Sequence, residues 1–217
     1  MAKLVRMVAE IVDGACTGCS LCVYVCPTVA LAMEPRPDDN PGPGRKLAVL
    51  NEGACYNSQN CLEICPDDAI VMVPLAEPFE VGVNPADADE TEVADLCMQA
   101  GLLPDMRVCF CTETTAAELA AAILLGADSP ERLSLTTGAR TGCTEICQQP
   151  TLRLLAVAGH GDAPYNPPRG FQWYGLTGRL LDQVDENLQL PDEFVDRYPQ
   201  YPLRRDLNAA LGNLSEA

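Results

Sequence analysis

The chain has 217 residues and a net charge of −17, from 31 acidic against 14 basic side chains. That length allows one or two domains, and the negative balance excludes nucleic acid and anionic membrane surfaces as main partners. No apolar run approaches the ~20 residues a membrane helix needs, and twelve cysteines behind an N-terminus without secretory character point to a reducing cytoplasm and metal-bound thiolates.

Residues 1–13 place Lys3, Arg6 and Glu10 among alternating apolar positions, which is the period of a strand and not of a leader peptide. A strand is predicted over 5–11. Cys16, Cys19, Cys22 and Cys26 follow, with Pro27 behind them, in the spacing C-x2-C-x2-C-x3-C-P. Three thiolates on one short loop can wrap three corners of a cubane iron–sulfur cluster. The fourth, at a helix end, lies too far round and reaches a second cluster, so a partner motif is required.

Further strands are predicted over 30–33, 46–50 and 70–73, with short helices after Cys22 and Cys61. Residues 35–44, PRPDDNPGPG, form a breaker-rich insertion. The partner motif is Cys55, Cys61 and Cys65 with Pro66: 55 − 16, 61 − 22, 65 − 26 and 66 − 27 all equal 39. Gly14-Ala15-Cys16 also recurs as Gly53-Ala54-Cys55, so ligands and flanks repeat together as an internal duplication.

One position breaks the repeat. The counterpart of Cys19 is 19 + 39 = 58, which is Ser58. A serine oxygen is a harder and more basic ligand than a thiolate. The second site therefore holds a 3Fe–4S cluster, which needs three cysteines, or a 4Fe–4S cluster with a labile iron on Ser58 or water, or nothing, in that order of preference. Structural zinc uses two cysteine knuckles and needs neither the third cysteine nor the trailing Cys-Pro. Disulfides require an oxidising compartment.

These motifs resemble the two-cluster bacterial-type ferredoxin family over roughly the first third of the chain. The resemblance implies that Cys16, Cys19, Cys22 and Cys65 bind one 4Fe–4S cluster, and that Cys26, Cys55 and Cys61, with Ser58, serve the other.

Residues 77–92 are acidic and proline-containing and read as a linker. Cys97 lies on the apolar face of a helix and reads as core, since free cysteine is commonly buried. Cys109 and Cys111 then form a C-x-C pair, and Cys143 and Cys147 a C-x3-C pair. The alanine- and leucine-rich run over 114–127 reads as a capped helix. Ser129-Pro130 starts another, Thr137 to Cys143 is a glycine-containing loop, and 149–158 is a third short helix. Four cysteines in two pairs also suit tetrahedral zinc. A thioredoxin-like 2Fe–2S domain closes with C-x3-C too, but it needs strands that the alanine-rich run does not offer.

The C-x-C pair, Ala122-Ile123 with Gly126-Ala127, and Thr137-Gly138-Ala139 with Gly142-Cys143 resemble the bacterioferritin-associated-ferredoxin-like 2Fe–2S domain, over about 105–160. That family usually closes with C-x2-C. The resemblance implies that Cys109, Cys111, Cys143 and Cys147 hold a 2Fe–2S cluster, two thiolates per iron.

Beyond His160, the only histidine, which reads as a helix-end residue, the composition changes. Residues 161–217 carry Pro164, Pro167, Pro168, Pro191, Pro199 and Pro202 with Phe171, Trp173, Tyr174, Phe194, Tyr198 and Tyr201. With little helical or strand periodicity, this segment reads as an extended arm that orders on a partner, since aromatic anchors favour interfaces.

The fold expected is α+β. A two-cluster ferredoxin domain occupies 1–76, an acidic linker and helix 77–104, a small all-helical 2Fe–2S domain 105–160, and a partner-binding arm 161–217. No nucleotide fingerprint or catalytic triad is present, so no catalytic site of its own is expected. The reading is an electron-transfer subunit of a multisubunit oxidoreductase. It would relay single electrons between a catalytic subunit, a flavoprotein by family resemblance, and an acceptor, in a cytoplasmic hetero-oligomer without membrane insertion. The alternatives are a free soluble ferredoxin and a cluster-assembly or iron-release accessory protein.

Overall fold

The computed structural model describes residues 3–40, 42–161 and 189–214. The architecture is α+β, built from short helices and three two-stranded antiparallel ribbons. The described residues up to 161 form one compact unit, and the C-terminal ones belong to a second. None of the twelve cysteines is in a disulfide. Among the described residues, no helix is long and apolar enough to cross a membrane.

The first half is a duplicated strand–helix–strand pattern. Strand β1 (Lys3–Ile11) pairs with β4 (Ile70–Val81), and β2 (Leu31–Pro35) pairs with β3 (Lys46–Leu50). Helix α1 (Leu21–Val25) and helix α2 (Asn60–Ile64) are related by the sequence offset, since 21 + 39 = 60 and 25 + 39 = 64. Both helices include a cysteine that was expected to precede them, Cys22 and Cys61. Val8 of β1 is buried with Leu31, Leu47 and Ile70, whereas Val5, before the register shift in β1, is buried in a separate small cluster.

Strand β4 is longer than expected, and residues 77–81 are therefore strand and not linker. The prolines at 74 and 78 fall where the register with β1 shifts, between the pairs Met7–Pro74 and Val5–Phe79. A bulge tolerates the missing N–H of proline. Beyond it, Val81 is buried and joins Val5 and Tyr56 in a small core with Phe79 and Leu135 packed against it.

The second half opens with α3 (Glu90–Gln99), whose N-cap Asp89 accepts from the backbone N–H groups of Thr91 and Glu92. Helix α4 (Ala116–Leu124) starts with a full capping box: Glu118 N–H donates to the Thr115 hydroxyl and Thr115 N–H donates to the Glu118 carboxylate. Helix α5 (Pro130–Thr137) is capped by Ser129 and ends on Gly138, at φ +73°, and α6 (Gln148–Leu155) follows Cys147. Leu119, Ala120, Leu133, Leu154 and Cys97 are fully buried in their common core.

This half is not all-helical. Strands β5 (Arg107–Cys109) and β6 (Thr114–Thr115) form a small ribbon. Segments of three and two residues are too short to leave a period-2 signal in sequence.

The two halves are docked. The Tyr56 hydroxyl donates to the Leu135 carbonyl at 2.7 Å, and Lys3 Nζ donates to the Thr141 carbonyl at 3.2 Å. Gly138 sits under Lys3, where an added Cβ would stand 3.3 Å from two of its side-chain carbons.

Within the expected extended arm, the described residues are largely helical: α7 (Asp192–Arg197) and α8 (Leu203–Leu214). Two of the prolines named for this segment stand at helix starts. Pro191 is the N-cap of α7 and Pro202 immediately precedes α8. Acidic Asp192 and Glu193 in the first turn of α7 and Arg197 in its last suit the helix dipole. Arg204 donates to the Leu190 carbonyl at 3.1 Å and pairs with Asp192. Phe171, Trp173 and Tyr174 lie outside the described residues.

Candidate metal centres

Cys16, Cys19, Cys22 and Cys65 line one small cavity, floored by apolar Ile11, Met33, Ala48 and Ile70. Cys65 arrives from the second repeat. Cys26, from the first repeat, instead lines a second cavity with Cys55, Cys61 and Ser58. The repeats thus exchange their last cysteines, as the motif requires.

The backbone of the two loops is duplicated along with the ligands. Positive φ occurs at Gly18 (76°) and Ser20 (72°), and again at Asn57 (55°) and Gln59 (64°), 39 residues later. Val29 and Asp68 repeat in the same way, at 55° and 49°. Ser58 is therefore presented on a loop shaped like the one that carries Cys19.

Both sites offer backbone donors to sulfur. Ala30 N–H donates to Cys26 Sγ at 3.2 Å, Ala69 N–H to Cys65 Sγ at 3.3 Å, and Ala9 N–H to Cys55 Sγ at 3.4 Å. Such bonds orient the ligands and stabilise negative charge on the sulfurs. As thiols, the ligands are held against ionisation. Burial pushes Cys61 up to about 12, reinforced by Cys26 and Cys55. Burial pushes Cys22 up to about 11, reinforced by Cys19 and Cys16. Iron that replaces those protons neutralises the same crowded charge.

The first loop has a brace that the second lacks. Arg36, inside the breaker-rich insertion, donates to the carbonyls of Cys16 at 2.6 Å, Asp13 at 3.0 Å and Gly44 at 2.8 Å. The equivalent of Arg36 in the second repeat, 36 + 39 = 75, is Leu75. Arg36→Met is expected to cost about 2 kcal/mol of stability, more than the ~1 kcal/mol of a single neutral hydrogen bond. The first cluster should be lost faster in air while the 2Fe–2S spectrum is unchanged, which visible circular dichroism over time would check.

In the second half, the structure brings Cys109, Cys111, Cys143 and Cys147 together as two thiol pairs. The first cysteine of one motif meets the last of the other. Buried Cys109 and Cys147 share a hydrogen bond, which pushes Cys109 down to about 5 and its partner up. Cys111 and Cys143 are exposed and also adjacent, with Cys143 N–H donating to Cys111 Sγ at 3.4 Å. The backbone N–H groups of Glu145 and Ile146 hold Cys143 below the usual thiol range.

Two pairs, one inner and one outer, fit the two irons of a 2Fe–2S cluster. Gly142 is obligatory here, because a Cβ would stand 2.4 Å from Cys111 Cβ. The extra residue of the C-x3-C motif is absorbed by Thr144, at φ 61°, whose carbonyl accepts from the Gln148 side chain at 2.9 Å. Cys97 is fully buried in the helical core, where burial pushes its thiol up to about 11.

A cavity of about 580 Å³ separates the halves. Ser58, Asn60 and Glu63 line one side of it, and Arg140, Cys143 and Gln148 the other. The residues that dock the halves, Lys3 and Tyr56, carry no sign of that docking in the sequence. Their contacts span the chain and leave no local pattern.

Residues 15–69 match the family model of the 4Fe-4S dicluster domain, and residues 107–156 match that of the BFD-like 2Fe-2S binding domain. No curated protein and no solved structure matches the chain. The sulfur-lined cavities, the N–H donors to sulfur and the small residues around them fit both groups. The chain therefore joins a 4Fe–4S dicluster domain to a BFD-like 2Fe–2S binding domain, and it is an iron–sulfur electron carrier.

Proposed function

We propose that this chain is the electron-relay subunit of a multisubunit oxidoreductase, passing single electrons between a flavoprotein catalytic subunit and an acceptor in the cytoplasm. Bound iron–sulfur clusters supply one-electron chemistry. The chain's own residues hold them and decide which sites meet solvent.

The observation that carries this reading is the pattern of exposure. Cys19 is exposed in the first set, and Cys111 and Cys143 in the third, while Cys26, Cys55 and Cys61 in the second are buried. A relay with a buried middle and two open ends suits a protein held between two partners. A diffusing carrier needs only one open end. The open edge of the third set is rimmed by Phe110 and Ile146, 64% and 60% exposed. Large exposed apolar side chains beside a redox centre are what a docking partner would cover. The chain's acidity would steer it to a basic patch.

On this proposal Cys16, Cys19, Cys22 and Cys65 ligate a 4Fe–4S cluster, and Cys109, Cys111, Cys143 and Cys147 a 2Fe–2S cluster. Cys26, Cys55 and Cys61 hold a 3Fe–4S cluster, or a 4Fe–4S cluster completed by Ser58 or water. Residues from 161 onward serve as the partner-binding segment. Gel filtration of native extract tests the subunit reading. Elution in a large complex that carries flavin absorbance is the expected result. Elution near the chain's own 23.3 kDa would favour the free carrier.

A further inference from the structure

We propose that Lys3 and Arg140, one from each domain, are cations shared by the second cubane-type site and the 2Fe–2S site, and that they make these two sites direct neighbours in the relay. The inference rests on the cluster assignments and not on which partner the chain serves.

Lys3 opens β1 in the ferredoxin half, yet its ammonium is anchored 138 residues away. It donates to both the carbonyl and the hydroxyl of Thr141, in the loop that leads to Cys143. The Thr141 hydroxyl in turn donates to the Gly138 carbonyl at 2.6 Å. The stem of Lys3 lies across Gly138, so both ends of the side chain are fixed. Held there, the ammonium faces Cys109 and Cys111 of the 2Fe–2S set and Cys55 of the second set.

Arg140 lines the cavity that Ser58 of the second set also lines. It is only 5% exposed, sits in the 2Fe–2S loop, and faces Cys147 of its own set, Glu131 and Glu145, and Cys26 across the boundary. The ferredoxin-half thiolates that the two cations face, Cys55 and Cys26, both belong to the second set. Burying two cations is costly unless opposite charge compensates them; the two anionic cluster sites supply it, with Glu131 and Glu145 adding to it at Arg140.

The consequence concerns reduction. An electron added to one centre repels an electron added to its neighbour, strongly so in a buried medium. A fixed positive charge near both centres leaves that repulsion in place but attracts an electron to each, and so raises both potentials. Lys3 and Arg140 are thus positioning and tuning residues for transfer between the second site and the 2Fe–2S site.

The test is a redox titration of the anaerobically purified full chain, followed by electron paramagnetic resonance, on wild type, Lys3→Met, Lys3→Arg and Thr141→Val. Iron content and spin integration come first, so that loss of a cluster is read separately from a shift in potential. Lys3→Met should lower the potentials of the 2Fe–2S and second-site clusters together and move the first cluster least. Lys3→Arg should stay near wild type, and Thr141→Val should shift in the same direction by less. In wild type, reduction of the second site should broaden or split the 2Fe–2S signal, a readout that needs no variant. Unchanged potentials in a fully loaded Lys3→Met protein, an equal shift of all three clusters, or a 2Fe–2S signal indifferent to the second site would overturn the proposal.

Discussion

Cys111→Ser is expected to abolish the 2Fe–2S signal while both ferredoxin-half signals persist. Cys111 is exposed and lies outside the helical core, so its replacement removes a ligand without leaving a cavity. The outer pair would keep only Cys143, and a serine hydroxyl is far harder to deprotonate than a thiol. Loss of the cluster should be essentially complete, with helix content retained by far-ultraviolet circular dichroism. Because Lys3 faces Cys111 and Cys55 alike, the second ferredoxin site should shift in potential without losing iron. Collapse of all three signals together would show that the ferredoxin half cannot load without its neighbour.

Ser58→Cys should convert the second site into a fully thiolate-ligated 4Fe–4S cluster. The loop is already shaped for it, since Asn57 and Gln59 adopt the positive φ values that flank Cys19 in the first repeat. The new thiol would enter the cavity already lined by Cys26, Cys55 and Cys61. If the wild-type site is 3Fe–4S, the oxidised protein is paramagnetic and the variant loses that signal while gaining about one iron. Added thiolate charge should also lower the site's potential. A wild-type spectrum that is silent when oxidised, with a full iron complement, would assign the missing ligand to Ser58 or water. The Ser58 wall of the interdomain cavity gives such a water a route in.

The spacing within each cysteine motif is legible in the sequence because it is local, whereas the full ligand sets join separate motifs and come from the family resemblance. Spacing within a loop decides which thiolates can face one centre, and a constant offset of 39 relates the two loops. The same holds for α4 and α5, where Thr115, Glu118, Ser129 and Gly138 are capping residues that mark the helix ends. Prolines misled where tertiary context reverses their meaning. Pro78, in the segment that reads as a linker, falls at a bulge in β4, and Pro191 and Pro202 start helices where the sequence suggests an extended arm. The docking of the halves is not legible at all. Lys3 meets Thr141 and Tyr56 meets Leu135 across 138 and 79 residues, and a lone lysine or tyrosine carries no sign of so distant a partner. The ~580 Å³ cavity and the placing of Ser58 beside the 2Fe–2S loop follow from that docking.

On this reading the three cysteine sets hold three separate iron–sulfur clusters in one chain. Mössbauer spectroscopy of protein enriched in iron-57 and purified without oxygen tests it most directly. It resolves 2Fe–2S from cubane-type iron and counts each. The account predicts one 2Fe–2S component beside two cubane-type components, about nine to ten irons per chain, and little zinc. A spectrum without the 2Fe–2S component, accompanied by about one zinc per chain at the Cys109, Cys111, Cys143 and Cys147 set, would contradict it.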